Sequence, residues 1–566
     1  MAPMGIATTR YDERILAATG EGGNAATVFQ SHEGVCNGGI LFLLPALLLQ
    51  GLLKTKDVYQ LPDNHYYSLE QIMLTLAFMA LARIKNPEQL KQCKPGEIGR
   101  IMGLDRIPEV SCLREKIKLL SGQQKAQQLN RNLVDYWYSE EGEDQLFMYI
   151  DGHVRIYYGY KATLPAKYVS RQKICLNATT EYWVNDGKGL PVMMVMGEVT
   201  EKLSKTIEQQ IIPQMQQTVL LPAAGSPPET NRQEPVCTFI FDRECYEPAF
   251  FSRLWDSYKI AIISYRKNVK DKWEEELFKP IDVKELERTT TMHLCEQKTE
   301  LGGVHFREIR RLNAGGHQTS IITTHPSINM AVVAGRMFGR WSQENFFKYM
   351  IADYDFDKMA EFGTEKIDEN KKVVNPVHRK LTNQIKKLKE KTNRVKADFL
   401  SLSEKSIEAE LNLIPDIEGK QAVLIEKIEA NQQQILQLKE QRDKLKSHIT
   451  LKEMPDQSRY DKLKPESKML MNIVKMICYR AETSVANTLA QFLQDEDDKR
   501  MLVKQIIQNH ADIVPDYPNN TLTITLHTLS APRFNEAAKQ LAELLNLTEI
   551  NFPNTNLRLN FKTTAP

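Results

Sequence analysis

Two short runs, LFMYID (146–151) and CTFIFD (237–242), are apolar and aromatic, and each ends on an aspartate. Apolar runs of this length, bounded by polar turn-formers, read as strands. Between them, ICLNATTEYWV (174–184) and LPVMMVMGEV (190–199) continue as strands, with Asp186-Gly187-Lys188-Gly189 as a hairpin turn. A helix over about 201–217 carries Leu203, Ile207, Ile211 and Met215 at helical spacing, and a Pro/Gly/Ser-rich loop (222–235) leads into the second aspartate strand. Another helix (248–258) and the strand KIAIISY (259–265) follow. The order is βββ-α-β-α-β, with Asp151 and Asp242 closing its first and fourth strands.

In open α/β sheets, functional groups gather beyond the carboxyl ends of the strands. Were strands one and four neighbours, two carboxylates would meet there, at a free-energy cost unless a cation sits between them. Hard oxygen ligands of this kind suit Mg²⁺ or Mn²⁺ rather than zinc. A third acid is offered by Glu344 in RMFGRWSQENFFKYM (336–350), inside a helix expected over about 328–352. Arg340, Glu344 and Lys348 share one face of that helix, bordered by Trp341 and Phe347. Two metal ions among such acids activate an attacking oxygen and stabilise a leaving one, and Arg340 and Lys348 suit phosphate oxygens. The plainer alternatives are that each aspartate is a turn or cap residue, and that 340–344–348 is a surface ladder worth roughly 0.3–0.5 kcal/mol per pair.

Before that helix, RTTTMHLCEQ, VHFREIRRL and HQTSIITT, separated by Gly302-Gly303 and Gly315-Gly316, read as an all-β insertion at about 280–325. Its His293, Cys295, His305, His317 and His325 match no zinc spacing, so alternating strand residues are the reading. Residues 1–140 read as mainly helical. Within them, PGEIGRIMGLDRIPEVSCLREKIKLL (95–120) is a helical pair with Arg106, Arg114, Lys116 and Lys118 expected on its surface. That pair is either a DNA-reading helix-turn-helix or a plain helical hairpin. The apolar run from Ile40 to Leu49 contains Pro45 and is too short to span a bilayer, so a buried helix is expected and no membrane.

From 370 to 455 the period becomes heptad-like. Leu381, Ile385, Leu388, Val395, Phe399 and Leu402 form one arm, with Thr392 in the missing core slot. Leu424, Ile428, Ile435, Leu438, Leu445 and Ile449 form the second. An antiparallel coiled-coil hairpin is expected, with an intermolecular coil as the alternative. Lys371 to Asp398 holds ten Lys or Arg against two acids, among them Lys386, Lys387 and Lys389. Such a run neutralises DNA phosphates well, and equally well forms a solvated coiled-coil exterior. Residues 460–566 begin helical and end as a βαβ-like unit (521–529, 533–545, 557–562).

The three acid-bearing segments, YIDGHVRIYYG, FIFDRECYEPAFF and GRWSQENFFKYM, together resemble bacterial insertion-sequence transposases of the DDE type, strongly over about 145–355 and loosely elsewhere. That resemblance implies a multidomain α+β/α/β chain: a helical N-terminal domain (1–140), an RNase H-like mixed-sheet catalytic domain (141–360) with its β insertion, the coiled-coil hairpin (370–455) and a small α/β C-terminal domain (460–566). It implies Asp151, Asp242 and Glu344 as catalytic ligands of two Mg²⁺ or Mn²⁺ ions, with Arg340, Lys348 and Arg243 on the phosphate side. His153, two residues beyond Asp151, either touches the scissile phosphate or a metal-bound water or, as the plainer reading, is a structural strand-end histidine. The chain departs from the wider signature at Met337, where a Tyr is usual, at Ile351, where a Lys is usual, and at Cys245, where a Gly is usual. The implied activity is cleavage of double-stranded DNA at terminal inverted repeats and joining of 3′-hydroxyls to target DNA. A homodimer on the DNA and a bacterial cytoplasmic, nucleoid-associated location go with it. The alternatives are a catalytically silent DNA-binding or assembly protein, and a metal-dependent nuclease without strand transfer.

A net charge of +2 from 74 bases and 72 acids excludes a uniformly basic protein without touching local clusters. Eight scattered Cys, none in a C-x-x-C pair, exclude a disulfide scaffold and suggest a reducing compartment. The opening MAPMGIATTRYDER has no secretory pattern, and no Walker-type phosphate loop supports ATP use.

Overall fold

In the computed structural model the described residues are 9–564, except 63–64, 140–145, 160–161, 170–171, 198–200, 226–232, 286–287, 357–362, 366, 409–413 and 455–459. They form two compact units, one from the segments up to Tyr157, Lys167–Gly363 and from Lys464 onward, the other from Tyr158–Ala166 and Thr364–Leu463.

The larger unit is organised on a ten-stranded mixed sheet. Its strands are β1 (Leu146–Ile156), β2 (Ala166–Val169), β3 (Ile174–Asp186), β4 (Pro191–Met196), β5 (Cys237–Phe241), β6 (Ile260–Tyr265), β7 (Lys279–Glu285), β8 (Arg288–Leu301), β9 (Val304–Leu312) and β10 (Gln318–Thr323). The spatial order is β2-β3-β1-β5-β6-β10-β9-β8-β7, with β4 on β3. β1, β5 and β6 run parallel, and every other described pairing is antiparallel. The parallel strands are covered on both faces, as parallel strands must be. Met148, Ile150, Phe239 and Phe241 pack with Phe250, Phe251 and Leu254 of the Pro248–Tyr258 helix. Phe147, Tyr149 and Ile240 pack on the opposite face with Val333, Ala334 and Met337 of the Met330–Phe338 helix. The β insertion is continuous with this sheet, because β10 pairs edge-on with β6.

Several details differ from the sequence expectation. β1 does not close on Asp151 but runs on to Ile156, and β2 is an additional strand between the first two expected ones. The helix over about 201–217 contains a π-helical turn, Ile207–Ile211, between Leu203–Thr206 and Ile212–Met215. The helix expected over 328–352 is two, Met330–Phe338 and Trp341–Tyr354, broken at Gly339-Arg340. The N-terminal part, read as helical, also gives a strand, His32–Val35, which pairs with Ala511–Asp516 of the C-terminal four-stranded sheet.

That pairing is one reason why 1–140 and 460–566 do not have separate cores. The Glu466–Leu489 helix is buried over most of its length, and its Leu470, Ile473, Val474 and Ile477 belong to one cluster with Leu74, Phe78, Leu113, Leu120, Leu502 and Ile513. A helix buried on almost every side needs partners all round, and N- and C-terminal segments together provide them. The apolar run at 40–49 is part of this core, as a short 3₁₀ turn and the Leu44–Leu49 helix. No helix among the described residues is long and apolar enough to cross a membrane. At the C-terminus, Thr521–Leu526 and Arg558–Thr563 pair in parallel around the Pro532–Asn546 helix.

The smaller unit is built on two long antiparallel helices, Pro376–Glu408 and Ile414–Asp443. Their antiparallel register begins in a short ribbon, Lys372–Val374 with His448–Thr450. It continues where Asn375 donates to the carbonyls of Lys446 (from Nδ2, 3.0 Å) and Ser447 (from the backbone N–H, 3.0 Å), and where Gln421 Nε2 donates to Ser403 Oγ at 3.1 Å. Ile385, Thr392, Asn431 and Ile435 are buried along the seam.

Candidate active site

The register of the parallel strands brings the two aspartates together. Leu146 lies opposite Cys237 and Tyr149 opposite Ile240; carried two residues further, the same offset sets Asp151 level with Asp242. Side chains alternate across a sheet with a period of two. Asp151 therefore follows Phe147 and Tyr149, and Asp242 follows Ile240, onto the face covered by the Met330–Phe338 helix.

Asp151 has 23% of its side chain exposed. Burial raises its carboxyl to about 6, Arg340 opposes the rise, and the charge of Asp242 adds to it. Arg340 Nη1 stands 3.4 Å from Asp151 Oδ2. Asp242 Oδ1 accepts from the Glu244 N–H at 2.7 Å, and the Ser264 hydroxyl donates to the Asp242 carbonyl at 3.3 Å, so both ends of the turn are fixed. Gly152, next to Asp151, is required by packing: a Cβ there would meet the Tyr182 ring at 2.9 Å.

Glu344 lies in the first turns of the Trp341–Tyr354 helix, and its side chain, like that of Trp341, falls outside the described residues. The helix itself is firmly placed. Phe347 stacks on His153 at 5.4 Å, and Phe346 packs on Trp183 at 5.5 Å. Since Asp151 pairs with Trp183 and His153 with Glu181, the helix lies over the face that carries Asp151. Its far end is held by two buried lysines, Lys475 Nζ on the Tyr354 carbonyl (2.8 Å) and Lys468 Nζ on the Phe356 carbonyl (2.7 Å). Cations at a helix C-terminus satisfy its orphan carbonyls and its dipole.

Several expected residues stand elsewhere than sequence reasoning put them. Arg340 sits at the break before the helix and pairs with Asp151. His153 is 6% exposed and packed between Phe347 and Phe356, so its ring is a core element and not a phosphate contact. Lys348 and Arg243 are exposed. In the N-terminal helical pair, Lys116 is buried, Arg106 pairs with Glu109 at 3.0 Å and Arg114 with Glu88 at 3.2 Å. Of the four bases expected on that surface, Lys118 is exposed and without such a pair among the described residues. In the smaller unit, Lys386, Lys387 and Lys389 are exposed.

Sequence reasoning also missed groups. Glu244, at the mouth of the site, has its carboxyl raised by partial desolvation and by Asp242, against Lys167 and Lys267. Glu181 is fully buried; burial would raise its carboxyl, but Arg155 (2.9 Å), Lys468 and His153 more than offset this and hold it low. The FIFDRE run signals Glu244, whereas nothing local signals Lys468 and Lys475, more than a hundred residues from the helix they hold. Among the described residues, no three His, Cys, Asp or Glu are grouped to hold a metal ion. Of the His-rich β segment, His293, Cys295 and His305 stand on strands as expected, whereas His317 and His325 lie outside them; His325 is buried, with Nδ1 facing the N–H groups of Ser327 and Ile328 as a turn acceptor.

A family model described as "Transposase protein" matches residues 5–565. No curated protein and no solved structure matches the chain.

Proposed function

The chain belongs to this transposase family, and on that premise we propose that it cuts and rejoins DNA at a DDE-type site made of Asp151, Asp242 and Glu344 on an RNase H-like sheet. The observation that carries the reading is the level placement of Asp151 and Asp242 on one face of adjacent parallel strands. The charge of Asp242 adds to the cost of ionising Asp151, which is held near 6 even with Arg340 beside it. A donor set of carboxylate oxygens with unmet negative charge fits Mg²⁺ or Mn²⁺. Glu344 joins it as the third ligand, because Arg340, four residues before it, and Phe347, three after, both reach the strand that carries Asp151.

Divalent ions bound there supply Lewis acidity to the attacking and leaving oxygens of a phosphodiester. The protein's part is placement. Gly152 and Tyr182 fix the strand at Asp151, the Ser264 hydroxyl and the Glu244 N–H fix the Asp242 turn, and Lys468 and Lys475 hold the Glu344 helix. Arg340 restrains the Asp151 carboxylate and adds positive charge where phosphate charge must be brought in. Terminal inverted repeats and a target duplex are the substrates proposed, with the exposed lysines of the smaller unit as sequence-independent phosphate contacts. A homodimer on DNA in the bacterial cytoplasm completes the reading.

The test is product analysis with DNA that brackets the gene, in Mg²⁺. Transfer of a labelled 3′ end onto a second duplex is the expected outcome. Nicks without joined product would reduce the reading to a nuclease, and binding without nicks to a silent DNA-binding protein.

A further inference from the structure

Any DNA strand brought to Asp151, Asp242 and Glu244 meets repulsion from their carboxylates. Cations not already spent on acids must offset it. Arg340 is spent on Asp151 (3.4 Å) and Arg266 on Glu308 (2.5 Å), while the Lys167 ammonium is held by a neutral group, the Thr180 hydroxyl (2.6 Å). Two further cations stand beside the Asp242 turn. Arg243 and Lys267 make no ion pair or side-chain hydrogen bond with any described residue. Instead each is laid on a tyrosine: the Arg243 guanidinium is 5.5 Å from the centre of the Tyr265 ring, and the Lys267 ammonium 5.8 Å from that of Tyr246. Cation–π contacts hold a cation by its face or stem and leave its N–H groups free. Arg243 immediately follows Asp242, and Tyr265 ends β6, the strand beside β5, so the pair borders the acids at the carboxyl edge of the sheet.

We propose that Arg243 and Lys267, positioned by Tyr265 and Tyr246, form a phosphate clamp that holds the DNA backbone beside the cut, without reading sequence. The clamp rests on the assignment of Asp151 and Asp242 as the reacting centre, and it adds Lys267 and both tyrosines to the residues that sequence motifs pick out. Arg243 supplies a fork and Lys267 a point charge, which suits two different phosphate oxygens. Tyrosine cradles lower the ordering cost of two long side chains before DNA arrives.

The experiment is the salt dependence of binding to a random-sequence duplex, with the full chain and no divalent metal, so that cleavage plays no part. Each phosphate that is no longer neutralised lowers the slope of log K against log[salt] by about 0.9. R243Q/K267Q is expected to lower the slope by roughly twice that amount, R243K/K267R to keep it, and Y246L/Y265L to keep it while weakening binding several-fold. A wild-type slope in R243Q/K267Q overturns the clamp. Metal-dependent cleavage that survives loss of Asp151 and Asp242 overturns the site assignment instead, and leaves the slopes as they are.

Discussion

Asp151 shows how the placement proposed for catalysis opposes stability. An unfolded aspartate titrates near 3.9, whereas this one is raised to about 6, so the folded state holds a proton that the unfolded chain has released between about pH 4 and 6. Stability from this group is therefore present below that window and lost as pH rises through it. Asp151→Asn is expected to be more stable than the parent at pH 7 without divalent ions, by about 1–2 kcal/mol after discounting for solvent at a partly exposed carboxylate. Urea unfolding of both proteins at pH 7 and pH 4.5 checks this; an equal difference at the two pH values contradicts it. Both aspartates were legible in sequence from the apolar runs before them, although only Asp242 closes its strand, since β1 runs on past Asp151 to Ile156. The structural reading of His153 agrees with its burial, whereas the position of Arg340 at a helix break was not foreseen. Burial between Phe347 and Phe356, and a helix break at Gly339, depend on tertiary packing that a local pattern does not carry.

Among the elements, the Trp341–Tyr354 helix is the one on which the proposed site depends most. Burial lowers the Lys475 ammonium to about 8, against the attraction of Asp355 and Glu181, while Lys475 holds the Tyr354 carbonyl. An unfolded lysine titrates near 10.4, so between about pH 8 and 10.4 the unfolded chain binds the extra proton, and stability from this group rises with pH there. Lys475→Met removes that rise. Chemical unfolding at pH 7.5 and 9.5 should show the parent closing on the variant at the higher pH, and parallel changes in both would refute the assignment. Strand periodicity in 146–265 was enough to place β1, β3, β4, β5 and β6, whereas the edge-on union of β10 with β6 had no local sign, because strand neighbours are set by pairing across the chain. Thr392 illustrates the converse: the heptad spacing singled it out as a core slot, and it is buried.

Over the whole molecule, the near-zero net charge averages segregated regions. Asp151, midway along β1, and Asp242, just beyond β5, converge, while Arg379, Lys380, Lys386, Lys387, Lys389, Lys391, Arg394 and Lys396 are exposed along one helix of the smaller unit. If these serve DNA, K386Q/K387Q/K389Q weakens binding equally for all sequences and lowers the salt slope by about 0.9 for each phosphate left unneutralised; an unchanged slope would make the helix a solvated exterior. The shared core of N- and C-terminal segments was not legible, since hydrophobic periodicity shows which face is buried but not what buries it. The most direct measurement of the central claim is Mg²⁺-dependent cleavage of DNA bracketing the gene by Asp151→Asn, Asp242→Asn and the double variant. Groups that act as one unit are not additive, so each single variant should lose as much cleavage as the double. Substantial cleavage by either single variant would contradict the claim that the two aspartates form one site.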